Sequence, residues 1–351
     1  MPFKLMKFSS NIAAGLGSVK SLGEYFEDLK LSRKALIISG EKSYQVAGEM
    51  VSKSLQGSNI QTEEFIGKFE PTRETAEKFI SKLLKYKGTE TAIVAIGGGS
   101  VADICKYVAK ELNLDLVVIP TLLASDAIAT GYSVLWEKGK NQAIQTKTPS
   151  LIVGDYEILR NQPKRFVSAG AGDMLSKISA LYDWRLAFWL GNESYNDFAM
   201  NVAKSTTELL EKRILDVSKM NYIGIETLFL AEVTDGYLME LSGSTRVAAG
   251  SEHLFAFAME TLDLNGIHGE YCALGTILMS YLQSRDKMDT REYLQAVGAP
   301  TTASELDIKP YSIVKALTMA HKMRPWYTIL GQNGLSEGSA ERLARYTHVI
   351  S

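Results

Sequence analysis

The stretch Ala92–Lys106, AIVAIGGGSVADICK, constrains this chain more than any other. Apolar residues from Ile93 to Ile96 run straight into Gly97, Gly98 and Gly99. Ser100 then opens a segment whose apolar residues, Val101, Ile104, Cys105 and Val108, fall at helical spacing. The pattern predicts a strand, a tight turn and a helix. Glycines leave no Cβ in the way and reach positive φ freely, so an anionic group can approach the amides of such a turn. The helix that follows aims its positive end at that anion. The same residues also suit a local role, with Ser100 as the helix cap and Asp103 completing a capping box. The two roles are compatible, and the spacing is not the GxGxxG fingerprint. The surroundings have to decide.

To about Ser150 those surroundings alternate between strand and helix patterns, as a parallel α/β sheet requires. Helices are expected at Val19 to Leu29, Tyr44 to Leu55, Arg73 to Tyr86 and Val101 to Leu112. Strands are expected at Ala35 to Ile38, Gln61 to Phe65, Ala92 to Ile96 and Leu116 to Ile119. Ligands of such sheets collect outside the carboxyl ends of the strands. That rule groups the loops Ser39 to Ser43, Ile66 to Thr72, Gly97 to Ser100 and Pro120 to Ser125. Tyr132 to Trp136 and Leu151 to Val153 read as two further strands bracketing the polar segment Glu137 to Thr148, an arrangement that suits a β-hairpin over a cofactor cleft.

Beyond Pro163 long helical periodicities take over, at Phe166 to Leu186, Ser194 to Asp216, Ile225 to Leu241, Ser251 to Leu262 and Ala273 to Ser284, with a helical tail from Pro310. A chain of 351 residues exceeds one typical core, so the reading is two domains, 1–160 α/β and 161–351 helical, with a cleft between them. A net charge of −2 offers no general attraction to nucleic acid or anionic lipid, so any anion site must be local. Cys105 and Cys272 form no CxxC pair, which argues against a disulfide framework or a thiolate zinc site and fits a reducing cytosol. The opening MPFKLMKFSS has no long apolar core, and LDLVVIPTLLA is too short to span a bilayer. The chain reads as soluble and cytoplasmic, and a homodimer or larger closed assembly is the default expectation.

Histidine is scarce, which makes His253 and His268 conspicuous in their glycine-flanked contexts SGSTRVAAGSEH and NGIHGEYCALG. Histidines on two neighbouring helices and a carboxylate on a third can hold a divalent cation in an open three-ligand site. Asp173 in SAGAGDMLSK is the best carboxylate candidate; otherwise it is a first-turn acid favoured by the helix dipole. Lys177, four residues on, is either its ion-pair partner or a substrate contact. Arg246 lies seven before His253, so one helix can carry both on one face; otherwise it is a loop cation. Ser125 and Asp126 follow PTLLA at a strand end, where they can meet a ligand or cap the next segment. His321 and His348 are assigned to structure.

GGGSVADICK, IPT followed by Ser125-Asp126, AGAGDMLSKISALYDWRLA, SGSTRVAAGSEHLFAFAM, IHGEYCALGTILMSYL and HKMRPWYTIL carry a resemblance over nearly the whole chain. The chain resembles the sn-glycerol-1-phosphate dehydrogenases of archaea, in the superfamily of iron-type alcohol dehydrogenases, glycerol dehydrogenases and dehydroquinate synthases. The resemblance implies a Rossmann-like parallel-sheet domain that binds NAD or NADP, followed by a helical domain that holds a divalent metal, zinc or alternatively iron. It implies Asp173, His253 and His268 as ligands, with Gly97, Gly98, Gly99 and Ser100 facing the pyrophosphate and Thr121 nearer the nicotinamide. Asp103 and Ser125 are counted with that cofactor site. Arg246 stands where dehydroquinate synthases place an arginine near the substrate's anionic group. The reaction implied is reduction of dihydroxyacetone phosphate to glycerol 1-phosphate for archaeal membrane lipids. Within it, Asp126 orients a substrate hydroxyl and Arg246 grips the phosphate. The chain departs from the family pattern where LLASDA replaces ASHDG and RVAAGSEH replaces RPASGSEH. Those changes keep a glycerol or other polyol dehydrogenase, and a dehydroquinate synthase-like cyclase, as alternatives.

Overall fold

The structure, a computed structural model, describes residues 10–138, 140–262, 265–283 and 288–351. Most of the opening segment MPFKLMKFSS, Gly139 of the polar segment, and Ser284 lie outside the described residues. The chain divides into two compact units, Met1–Pro163 and Lys164–Ser351.

Unit one is built on β1 (Asn11–Gly15), β2 (Lys34–Gly40), β3 (Gln61–Gly67), β4 (Ala92–Gly97), β5 (Asp115–Pro120) and a later strand (Leu151–Asp155). They form one six-stranded sheet in the order β1, Leu151–Asp155, β5, β4, β2, β3. All of its pairings are parallel. The central β4 and β5 are apolar on both faces because helices cover both sides, and β4 is buried from end to end. The edge strand β3, QTEEFIG, keeps Glu63 half exposed and Glu64 exposed. The helices that join these strands are α1 (Leu22–Asp28), α2 (Glu49–Gly57), α3 (Arg73–Leu83) and α4 (Gly99–Leu112). On one face, Val19, Leu22, Phe26, Val51 and Leu55 close over Ile37, Val94, Ile96, Val117, Ile119 and Val153. The chain runs from β2 to β3 at one edge, then crosses back to lay β4 on the other side of β2. The strand order therefore reverses between β2 and β4, the place where open α/β sheets bind ligands.

Two parts differ from the sequence expectation. The edge strand β1, NIAAG, has too weak a β pattern to be read and gains its ladder from Leu151–Asp155. The hairpin is also paired differently. Tyr132–Glu137 pairs antiparallel with Lys140–Gln145, inside the polar segment, while Leu151–Asp155 enters the main sheet. A polar KNQAIQ shows no buried-strand signal because a two-stranded ribbon needs none. The turn is set by Lys138, whose φ is +51°.

Unit two is helical throughout its described residues. It contains α5 (Lys164–Leu175), α6 (Lys177–Gly191), α7 (Asp197–Lys212), α8 (Tyr222–Ser242), α9 (Ser251–Glu260) and α10 (His268–Leu282). α11 (Met288–Val297), α12 (Pro310–Met319) and α13 (Glu337–Tyr346) follow, and a short helix, Ile214–Ser218, lies between α7 and α8. The helix expected from Phe166 to Leu186 is broken at Ser176, whose hydroxyl turns back to the Asp173 carbonyl at 2.6 Å. Small residues let α10 approach two other helices. A Cβ on Gly269 would stand 1.9 Å from the Ala169 carbonyl oxygen of α5, and one on Gly275 would stand 2.7 Å from the Glu252 carbonyl of α9. Arg165 of α5 also grips Glu270 of α10 through two bonds of 2.6 and 2.8 Å. Among the described residues, no helix is long and apolar enough to cross a membrane.

Candidate active site

Those close approaches bring Asp173 of α5, His253 of α9, and His268 and Cys272 of α10 together. One donor atom from each lies within 4.8 Å of all the others. His253 Nε2 stands 3.4 Å from Asp173 Oδ1. Cys272 Sγ stands 3.7 Å from His253 Nε2 and 3.5 Å from His268 Nε2. The opposite ring nitrogens face carboxylates: His253 Nδ1 is 2.9 Å from Glu252 Oε1, and His268 Nδ1 is 2.7 Å from Glu260 Oε1. A proton on each Nδ1 then donates outward and leaves the Nε2 lone pair facing into the cluster. Asp173 is fully buried, and its Oδ2 has no hydrogen-bond partner among the described residues. An orphaned carboxylate oxygen beside two inward-facing imidazole nitrogens is a donor set that suits zinc or iron.

The helix dipole does not explain Asp173. It lies in the last turn of α5, not the first, so the dipole there opposes an anion. Its charge is held instead by Lys177, whose Nζ bridges Asp173 Oδ1 at 3.1 Å and Asp235 Oδ2 at 3.0 Å. Burial alone would raise the Asp173 pKa, yet Lys177 and the two imidazoles hold it well below the usual carboxylate range. Burial likewise pushes the Cys272 thiol up, but the same imidazoles bring it below its ordinary value. Without a cation the two rings collect protons against the cost of burial, because Cys272 and the carboxylates around them are anionic. A divalent cation replaces those protons.

Arg246 is a correction. It sits in a short turn, Thr245–Val247, and Gly250 separates it from α9, so it does not share a helix face with His253. Its side chain is buried, and its guanidinium donates to Glu193 Oε2 at 3.0 Å and to the carbonyls of Ala249, Asp183 and Tyr327 at 3.3, 3.3 and 2.7 Å. These donors tie three segments of the helical unit together and leave no fork for a phosphate.

In unit one, β4 ends at Gly97, Gly98 is the N-cap of α4, and Gly99 begins the helix. None of the three has positive φ, so the benefit of glycine here is space. A Cβ on Gly97 would stand 2.8 Å from Val101 Cγ2. Ser100 is not the cap; it is exposed in the first turn. Thr121 closes the turn, its N–H donating to the Gly97 carbonyl at 3.0 Å and its hydroxyl lying 3.3 Å from Ser43. Ser125 comes beside Gly99, with its hydroxyl 3.8 Å from where a Cβ on that glycine would sit. Asp126 begins the short turn Asp126–Ile128 and is partly exposed. Asp103 is held within unit one. It is buried against Lys106 at 2.8 Å, and Lys106 also donates to the carbonyls of Ala127, at 2.8 Å, and Tyr132. That pair fastens the 126–132 segment to α4 and engages the Asp103 carboxylate with Lys106.

Residues 13–163 match the family model described as iron-containing alcohol dehydrogenase. The chain is 37% identical over 351 residues to a glycerol-1-phosphate dehydrogenase, NAD(P)+, of Sulfolobus acidocaldarius, covering 99% of this chain and 98% of that one. It is 34% identical over 350 residues to the protein of the same name from Methanosarcina mazei, covering 99% and 97%. The chain belongs to the glycerol-1-phosphate dehydrogenase family. Solved structures share the fold of this family member at low identity. A probable glycerol dehydrogenase from Sinorhizobium meliloti superposes with a TM-score of 0.78 at 20% identity, covering 98% of each chain. NADH-dependent butanol dehydrogenase A from Thermotoga maritima superposes with a TM-score of 0.72 at 18% identity, covering 99% of each chain.

Sequence reasoning about this glycerol-1-phosphate dehydrogenase family member missed four residues of the helical unit. Cys272 lies four after His268, one helical turn away on the same face, a spacing that a search for CxxC pairs does not register. Glu252 adjoins His253 in SEH, a visible neighbour. Glu260 gave no signal, and Arg324 stands in the stretch HKMRPWYTIL but its place beside the histidines comes only from packing. Arg324 stacks 4.7 Å over the ring of Phe257, which lies 6.0 Å from the His268 ring at an interplanar angle of 25°.

Proposed function

We propose that this chain is a metal-dependent, NAD(P)-linked dehydrogenase that interconverts dihydroxyacetone phosphate and sn-glycerol 1-phosphate in archaeal membrane-lipid synthesis. The observation that carries this reading is the convergence of Asp173, His253 and His268, with each imidazole oriented by its own carboxylate. When bound, zinc or iron there supplies a Lewis acid for the carbonyl or alcohol oxygen, and the nicotinamide supplies or accepts the hydride.

The chain's residues do the rest. Asp173 offers the anionic donor, and Lys177 holds that carboxylate ionised. Glu252 and Glu260 fix ring orientation and tautomer. The turn Gly97–Gly98–Gly99 and the N-terminus of α4 receive the coenzyme's pyrophosphate, with Thr121 and Ser125 beside them. Residues 1–160 serve as the dinucleotide domain and 161–351 as the metal and substrate domain. Asp126 orients a substrate hydroxyl. Arg324 takes over the phosphate contact once given to Arg246, because it is only partly buried and lies beside the histidine cluster. Both coenzymes are used, as in the relatives' printed names. The enzyme works in the cytoplasm, a compartment that suits two free buried cysteines, and as a homo-oligomer.

The test is a panel of dihydroxyacetone phosphate, dihydroxyacetone and glycerol, run with each coenzyme and with metal removed. Dihydroxyacetone phosphate should dominate in kcat/KM, and chelation should abolish turnover. Arg324→Met should raise KM for the phosphorylated substrate about 10- to 100-fold, the loss of one charge-assisted contact, and leave dihydroxyacetone unchanged. Equal use of the unphosphorylated ketone would point to a polyol dehydrogenase. Turnover with no net change in nicotinamide absorbance would point to a cyclase.

A further inference from the structure

We propose that Cys272 is a fourth protein donor to the cation, making the centre a two-histidine, one-carboxylate, one-thiolate shell that selects zinc. The inference rests on the metal-dependent reading above and concerns what that metal touches. His268 and Cys272 are one turn apart on α10, so a single helix face presents both. Zinc bonds of about 2.3 Å to sulfur and about 2.05 Å to nitrogen, at a tetrahedral angle, set S···N near ~3.6 Å and N···O near ~3.4 Å. The observed separations are 3.5 and 3.7 Å from Cys272 Sγ to the two Nε2 atoms, and 3.4 Å from His253 Nε2 to Asp173 Oδ1. Three of the six donor separations therefore match edges of a zinc tetrahedron, and all four donors lie within 4.8 Å of one another. Cys272 has no exposure to solvent, and the two inward-facing imidazoles are its polar contacts.

The chemistry has two consequences. A soft thiolate shifts preference toward zinc and away from magnesium or manganese. Together with Asp173 it also balances the cation's two charges inside a buried site, which lowers the cost of holding the ion there. On binding, the thiol proton leaves to solvent and the sulfur becomes an anionic donor. A fifth position would remain for a substrate oxygen, an expansion zinc tolerates.

Cobalt(II) in place of zinc reads the contact directly, independently of activity. The full-length protein loaded with cobalt should show a sulfur-to-metal charge-transfer band in the near ultraviolet. Cys272→Ala should still take up cobalt through Asp173, His253 and His268 but lose the band, and should release zinc about 10- to 100-fold more readily. Cobalt binding without that band in the wild type overturns the role of Cys272 and leaves the metal reading standing. Failure of the wild type to bind zinc, iron or cobalt overturns both. Should Cys272→Ala not fold, X-ray absorption on the wild-type zinc protein decides: one sulfur near ~2.3 Å supports the proposal, and a shell of nitrogen and oxygen alone overturns it.

Discussion

Glu260 shows how one residue sets the orientation of another. Its carboxylate sits 2.7 Å from His268 Nδ1 and so decides which nitrogen of that ring faces the cluster. Glu260→Gln keeps the size and removes the charge, and metal affinity, read by competition with a chromophoric chelator, should fall about 10- to 100-fold. Asp183 makes a second prediction. Burial, then the nearby Glu252, push its pKa up to about 6 from an ordinary value near 3.8. The folded state thus holds a proton that the unfolded state has released, so the stability tied to Asp183 is present below about pH 4 and lost as pH rises through 6. Asp183 also accepts the N–H groups of Ser251 and Ile329 at 2.7 Å each, one on each oxygen. Asp183→Asn should therefore melt below the wild type at about pH 4, and the gap should shrink by about pH 7.5; a gap that widened with pH would contradict the assignment. Asp173, His253 and His268 were legible as residues because polar groups among glycines and apolar runs are conspicuous. Arg246 was misread for a physical reason: a free cation and one with its donors spent on carbonyls look alike until the donors are counted in space.

Small residues at the crossings of α10 place the donors. Gly269→Ala would force a Cβ into the Ala169 carbonyl and push α5 from α10, separating Asp173 from His268. It should cost about 1–3 kcal/mol in thermal or denaturant unfolding and weaken zinc binding as well. Stability and zinc affinity both unchanged would mean the crossing does not set the site. At this scale the sequence was a good guide wherever burial was two-sided. β2, β4 and β5 of the sheet and the long helices of the second unit announce themselves by unbroken or 3.6-period apolar runs. It was a poor guide where pairing comes from a partner, as in β1 and Lys140–Gln145, and where a cap is a glycine: Gly98 caps α4 although Ser100 reads as the better cap. The break at Ser176 was hidden because the apolar pattern of α5 and α6 continues across it.

At the scale of the molecule, one unit is a parallel α/β sheet with a glycine turn at its reversal of strand order and the other is helical with a histidine cluster; the proposed function gives the coenzyme to the first and the metal to the second. A ligand that binds only the folded state stabilises it by mass action, about 2.7 kcal/mol at a hundredfold excess over Kd. Zinc added to chelated protein should therefore raise the melting temperature as it restores turnover. The most direct test of the account is the metal content of the purified protein, determined by elemental analysis beside its rate on dihydroxyacetone phosphate. The account predicts one zinc or iron per chain in the wild type, and loss of both metal and turnover in His253→Ala. Full activity in protein that carries neither metal would contradict it.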